Sequence, residues 1–401
     1  MTQLDSSGLA GPSPFRVHWG LDPAVTFLNH GSYGAAPRAV LAAQDEFRRR
    51  LESEPVRFMQ RELEPLLDHA RGCLGELVRA DPDDIAFVPN ATTGVNTVLE
   101  SLVLERGDEL LTTDHVYNAC ANALQRVAAR FGARVVIAQV PFPLASPDEA
   151  FDAVKQAVTP RTKFALLDHV TSPTGLIFPV ERLCAVLEGR GIPTLIDGAH
   201  ALGMLPLDLT ALGASYYTAN AHKWLCTPKG AAFLYVRRDR QAELRPLVVS
   251  HGANSPRTDR SRFRLEFDWT GTQDPSAWLV IPAAIQFLSG LLPGGITALM
   301  ERNHTLALAG RDRLCKTLGV PAPAPDGMLG TLASIPLPTP FSGAPTKGAF
   351  DPVHDALFQR GFEVPVMPWP EPGKRILRIA CAAHNDLGQV QRLASALLEL
   401  R

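Results

Sequence analysis

Between residues 85 and 236 the chain alternates two hydrophobic patterns. Short, nearly continuous apolar runs lie at 85–88, 109–112, 134–140, 163–169, 193–197 and 231–236. Runs this short, rich in Val, Ile, Leu and Phe, read as strands buried on both faces. Between them, residues 94–105, 118–131, 146–158 and 180–190 carry the three- and four-residue spacing of amphipathic helices. Ser146 followed by Glu149 predicts a capping box at the start of one of them. Strands that alternate with helices of about 10–15 residues predict an α/β fold, a mostly parallel sheet covered on both faces.

The flanks read differently. Residues 1–24 open in Gly-, Pro- and Ser-rich sequence and read as an N-terminal arm, followed by helical patterning at 39–52 and 61–79. Residues 25–285 read as one large domain whose first helices can join the smaller one. The segment 276–292 reads as a buried helix. Residues 286–401 read as a small α+β domain, with a Pro- and Gly-rich stretch at 320–345, a helix at 351–360 and strands at 362–366 and 375–380.

Composition narrows the function. With 46% hydrophobic and 20% charged residues in 401, the chain can bury a large core without disulfides or metals. Lys and Arg (39) nearly balance Asp and Glu (41), so no basic field exists to hold nucleic acid or an anionic membrane. A small-molecule substrate is the expected partner. Cys73, Cys120, Cys184, Cys226, Cys315 and Cys381 form no C-x-x-C pair and no zinc-finger spacing, so no metal site is expected. Scattered thiols read as reduced, in a cytoplasmic setting. Residues 1–20 lack the basic and apolar regions of a secretory signal. Pro282, Gln286, Ser289 and Gly290 interrupt the longest uncharged stretch, which excludes it as a membrane span.

Three groups fall where strands end, the place at which such sheets bind ligands. Thr92, Thr93 and Gly94 follow the first strand and offer hydroxyl and amide donors for a phosphate, although a simple helix cap uses the same residues. Asp197 closes the apolar run Leu195-Ile196 and needs a buried partner; a pyridinium nitrogen is one, and a capping turn is the plainer alternative. Lys223 stands in the largely apolar Ala219-Asn220-Ala221-His222-Lys223-Trp224-Leu225, where burial lowers a lysine pKa and makes the amine nucleophilic. Alone, each is ordinary. Together, a phosphate cradle, a strand-end Asp and a Lys 26 residues later read as one cofactor site.

The order T-D-H-V-Y-N, D-H-V-T-S-P-T-G, D-G-A-H-A-L-G, A-H-K-W-L resembles the fold-type I pyridoxal-phosphate enzymes, the aspartate aminotransferase-like transferases. More narrowly it resembles the class V aminotransferase group, which includes cysteine desulfurases, kynureninases and isopenicillin N epimerases. Phe27-Leu28-Asn29-His30-Gly31-Ser32-Tyr33-Gly34 and H-K-W-L-C-x-P-K-G are most similar to the isopenicillin N epimerase-like proteins. The resemblance covers about residues 25–285 and implies a seven-stranded, mostly parallel sheet. It also implies roles. Lys223 would carry the cofactor as a Schiff base, and Asp197 would pair with the pyridine nitrogen. His115 would stack on the ring, Tyr117 less so, with Asn118 beside it. Thr92, Thr93, Asn220 and His222 would hold the phosphate. Thr272, in Thr270-Gly271-Thr272, would reach the cofactor of a second subunit in a homodimer. Ser172 and His200 would border the ring and its O3'. Arg378 would clamp a substrate carboxylate, a task suited to a planar guanidinium. Relatives usually follow this arginine with Tyr-Asn, where this chain has His384-Asn385. Asn29, His30 and Tyr33 would line the substrate pocket, or His30-Gly31-Ser32 would be a structural turn.

Pyridoxal phosphate stabilises the carbanion left when an amino acid loses its α-proton, and Lys223 is the natural base. The resemblance implies epimerisation of an amino acid or an amino-acid-terminated peptide. Inversion needs a second acid, for which His115, Tyr117 and Tyr33 are candidates. The alternative is a C–S β-lyase acting on a cysteine conjugate or sulfoxide, and then an aminotransferase. Residues 335–375 contain no Cys, which disfavours a cysteine desulfurase. A non-catalytic protein of this fold is a further class; the presence of Lys223, Asp197 and Arg378 together argues against it.

Overall fold

The computed structural model describes residues 11–338, 341, 351–370 and 373–401. Seven strands form the main sheet: β2 (Ile85–Val88), β3 (Glu109–Thr113), β4 (Arg134–Ala138), β5 (Thr162–Asp168), β6 (Thr194–Asp197), β7 (Tyr216–Asn220) and β8 (Ala232–Val236), in the order β2-β8-β7-β6-β5-β3-β4. Pairings among β3 to β7 are parallel, and β8 alone runs against its neighbours β7 and β2. The interior strands β3, β6, β7 and β8 are buried at every position, as a sheet covered on both faces requires. The edge strand β4 exposes two of its five residues.

Six of the seven strands match the apolar runs. β7 does not stand out in the sequence: Tyr216-Tyr217-Thr218-Ala219-Asn220 ends in polar and small residues, because its end belongs to the site. Asn118–Phe131 forms as a helix with Cys120, Ala123, Leu124, Val127 and Ala128 buried, an apolar stripe of helical period. The helix expected at 94–105 instead runs Ala91–Glu100, because the Asn90 side chain accepts the Thr93 amide at 2.8 Å and starts it earlier. The expected capping box is only half made. Ser146 accepts the Asp148 amide at 2.9 Å, but Glu149 reaches past it to the Ala145 amide at 2.7 Å. The expected buried helix at 276–292 is broken in two, Ser276–Leu279 and Ile281–Ser289, with Pro282 in the first turn of the second.

A second, antiparallel sheet holds β9 (Leu332–Leu337), β11 (Val366–Pro368) and β12 (Arg375–Ala380), in the order β11-β12-β9. β9 carries Pro336, which fits its place at an edge. The helix Gly295–Leu318 packs on β9, and Leu387–Glu399 packs on that helix. The former is hard to read as a helix because Arg302, Asn303 and Arg311 sit on its buried face and interrupt the apolar stripe. The N-terminal segment ties into this part of the chain. β1 (Thr26–Phe27) pairs in parallel with β10 (Phe362–Glu363). Ser13 donates to the Ala383 carbonyl at 2.6 Å, and the Trp19 ring meets those of Phe287 and His384. Among the described residues no helix is long and apolar enough to cross a membrane.

Candidate active site

Asp168 and Asp197 are the last residues of β5 and β6, Asn220 is the last of β7, and Asn90 caps the helix that follows β2. These ends surround a cavity of about 330 Å³. Lys223, three residues past β7, is half-buried, and Lys223, Thr92, Tyr33, Tyr117, Ser172, Asp197, His200, Asn220 and His222 all line the cavity.

The lysine is held from its backbone. Its carbonyl accepts the Cys226 amide at 3.1 Å and meets His30 Nε2 at 3.0 Å. Cys226 takes a left-handed φ of 59°, an unfavourable conformation for a residue with a Cβ, to close this turn. Gly34 presses against the same turn. It has φ 71°, and a Cβ there would lie 2.0 Å from the His222 carbonyl oxygen and 2.9 Å from the Lys223 Cα, so only glycine fits.

Burial, reinforced by the Arg378 charge, lowers the Lys223 pKa to about 8, with Asp197 opposing. Lys223 Nζ lies 3.1 Å from His200 Nε2, and the Trp224 indole donates to His200 Nδ1 at 3.4 Å. With Nδ1 accepting, the neutral imidazole carries its proton on Nε2 and donates it to an uncharged Lys223 amine. Burial, and then the positive charge that Lys223 carries when protonated and that of Arg378, lower the His200 pKa well below its usual range.

Asp197 Oδ1 accepts the Ala199 amide at 2.9 Å and Oδ2 accepts the Cys120 thiol at 3.3 Å. Asn220 Oδ1 accepts the Ala91 amide at 2.8 Å, which fixes the helix start beside the cavity. The Thr92 hydroxyl and amide have no partner among the described residues, so this first turn offers free donors to an anion. Arg378, 4% exposed, donates to the Ser172 carbonyl and reaches Ser32 Oγ at 3.5 Å. Its Nε has no partner among the described residues.

Several expected residues stand elsewhere. His115 is fully buried outside the cavity lining, with Nδ1 2.8 Å from Thr174 Oγ1 and Nε2 3.0 Å from the Val140 carbonyl. Its place outside the lining leaves stacking to other residues, and with both ring nitrogens committed it has none free for acid catalysis there. Asn118 is exposed at the start of its helix and does not line the cavity. The Thr93 hydroxyl and amide turn to Asn90. Thr272 is exposed and does not line the cavity. Asn29 binds Glu363 at 2.8 Å and accepts Ser32 Oγ at 2.5 Å, and His30 sits behind Lys223; both are structural, and Ser32 is the turn residue that reaches the cavity. Asp168 and Lys229 also line it and escaped the sequence reading. For Asp168 the signal was present, since it closes an apolar strand just as Asp197 does.

A lysine amine with a lowered pKa, a buried carboxylate and a helix start with free donors fit an aldehyde, a pyridine nitrogen and a phosphate. The class these features define is that of the fold-type I pyridoxal-phosphate enzymes. Residues 27–336 match the model of the family "Aminotransferase class-V", and the chain belongs to that family. It is a pyridoxal 5'-phosphate enzyme. An isopenicillin N epimerase of Amycolatopsis lactamdurans is 38% identical over 95% of this chain and 96% of its own. A probable chloroplastic L-cysteine desulfhydrase of Arabidopsis thaliana is 31% identical over 79% of this chain and 69% of its own. The fold is shared with a cystine C–S lyase solved in complex with its reaction product cysteine persulfide, at TM-score 0.79 and 23% identity, covering 94% of this chain and 98% of that one.

Proposed function

We propose that this chain inverts the α-carbon of an amino acid or an amino-acid-terminated peptide, as an isopenicillin N epimerase-like enzyme. The observation that carries the reading is the Lys223 amine, its pKa lowered to about 8, within electrostatic reach of the buried guanidinium of Arg378. When bound, pyridoxal 5'-phosphate supplies an electron sink for the pair left at Cα. Asp197 would keep the pyridine nitrogen protonated, and Thr92, Asn220 and His222 would hold the phosphate. Tyr117, which borders the cavity near Asp197 and Arg378, takes the stacking place that His115 cannot reach. Ser172 and His200 border the ring. Arg378 turns its fork to the substrate carboxylate. Lys223 Nζ takes the α-proton, and the Tyr33 hydroxyl returns one from the other side; its 75% exposure lets it recover a proton from solvent.

The test is Tyr33→Phe in heavy water. The α-proton still exchanges through Lys223, but the product keeps its original configuration. Inversion that persists in Tyr33→Phe at close to the parent rate would show that Tyr33 is not the second acid.

Homodimerisation is part of the same reading. Thr272 is free on the protomer surface, and Leu247, Val248 and Val249 form an exposed apolar run by the rim that holds Thr92 and Thr93. The six unpaired cysteines fit a reducing, cytoplasmic setting.

The second reading is a C–S β-lyase. It is supported by the L-cysteine desulfhydrase relative at 31% identity, and it uses the same Lys223 base with a sulfur leaving group on Cβ.

A further inference from the structure

The chemistry above leaves one buried carboxyl of the cavity unused. Asp168 closes β5 as Asp197 closes β6, and their Cα atoms are direct register partners. Both side chains line the same cavity. Their surroundings differ. Asp197 receives an amide N–H from Ala199 and a thiol S–H from Cys120, and lies near Lys223. Asp168 is 3% exposed, and its Oδ2 has no hydrogen-bond partner among the described residues.

Two carboxyls that share a buried site do not both ionise. The negative charge settles where the donors are, which is Asp197, and the proton settles on the oxygen that has none. A protonated carboxyl then has a donor to offer, whereas a bare carboxylate there is an unsolvated acceptor.

We propose that Asp168 is a positioning residue of the cofactor site: it stands as the neutral acid beside the ionised Asp197 and offers its O–H toward the ring side of the cavity. Nothing in the proposed reaction assigns it this task, and the inference rests on the reading that Asp197 pairs with the pyridine nitrogen. Burial, followed by the Asp197 charge, pushes the Asp168 carboxyl well above the carboxylate range, while backbone hydrogen bonds of Tyr117 and of Asp168 itself oppose the rise. The other titratable groups in electrostatic reach of this pair include Cys120, Tyr117, Tyr217 and Lys223, none of them a second anion at neutral pH. A neutral Asp168 leaves the cavity with one full negative charge at the nitrogen end, which matches one pyridinium. Two charges would favour a second cation there.

The experiment compares Asp168→Asn with Asp168→Val in the cofactor-loaded protein. The readouts are the pH midpoint of the visible absorption band of the cofactor attached to Lys223 and the cofactor dissociation constant. Asparagine keeps a neutral donor, so its midpoint is unmoved and its dissociation constant stays within about twofold of the parent. Valine removes the donor and loosens the cofactor by about tenfold, the scale of one hydrogen bond involving a charged group. A fall of about one unit or more in the Asp168→Asn midpoint would mean that a negative charge had been removed, and would overturn the proposal. So would a valine variant that binds cofactor like the parent. If Asp168→Val does not fold, the asparagine midpoint decides alone. A parent protein with no such band would instead overturn the Lys223 reading itself.

Discussion

His384 Nε2 lies 3.2 Å from His30 Nδ1, and the far nitrogen of His30 lies 3.0 Å from the Lys223 carbonyl. The direction of this chain is fixed by its end. The Lys223 carbonyl can only accept, so His30 donates from Nε2 and accepts at Nδ1, and His384 donates to it. The residue that departs from the family's Tyr-Asn pattern therefore steadies the backbone of the cofactor lysine rather than contacting substrate. His384→Phe keeps a ring in place but leaves His30 Nδ1 buried and unpaired. The expected loss is about 1–3 kcal/mol of stability, read by denaturant unfolding of the cofactor-free protein, with a wider spread of Lys223 environments in the visible band.

The buried histidines also set an acid limit. Burial lowers His30, His169 and His222 to about 4, and His200 and His384 well below their usual value. Each binds its proton more tightly in the unfolded chain, so stability is full above the unfolded pKa of about 6.5 and falls as pH drops below it. Asp168 and Asp197 are raised and act in the opposite sense, but the histidines outnumber them. The midpoint of thermal unfolding is expected to fall steeply between pH 6.5 and 4, each histidine contributing up to about 1.4 kcal/mol per pH unit. A flat profile there would mean that these rings are solvated.

Attachment of the cofactor to the apoprotein requires an uncharged Lys223. Its rate is expected to rise through pH about 8 and level off above it. An ordinary exposed lysine would still be rising near pH 10. Lys223→Ala abolishes the visible band at every pH.

Arg378→Lys keeps a positive charge but loses the planar fork. With its pKa lowered to about 10 by burial, Arg378 is still charged at neutral pH. The lysine variant is expected to raise KM by about 10–100-fold, the value of a charge-assisted hydrogen bond, with a smaller effect on kcat. Equal losses in both would place this arginine in the chemical step instead.

The parallel sheet was legible because its interior strands are buried on both faces and therefore write uninterrupted apolar runs. What escaped did so for local reasons. β7 ends in the polar residues of the site, β9 carries Pro336, and Gly295–Leu318 buries two arginines. In the site, Lys223, Asp197, Tyr33, Thr92, Asn220, His200 and Arg378 were recognisable from motif order. His115 and Tyr117 show the limit of that order. Two residues apart in one loop, they point to different places, and only the packing of Val140 and Thr174 around the imidazole decides which one reaches the cavity.

The most direct test of the central claim is proton NMR of the cofactor-loaded protein in heavy water. The panel holds L-amino acids, cysteine conjugates and a tripeptide, followed by chiral analysis of the product. The account predicts loss of an α-proton signal with the carbon skeleton intact and appearance of the D-configured centre. A keto acid such as pyruvate, released with a sulfur fragment and without inversion, would contradict it in favour of the C–S lyase.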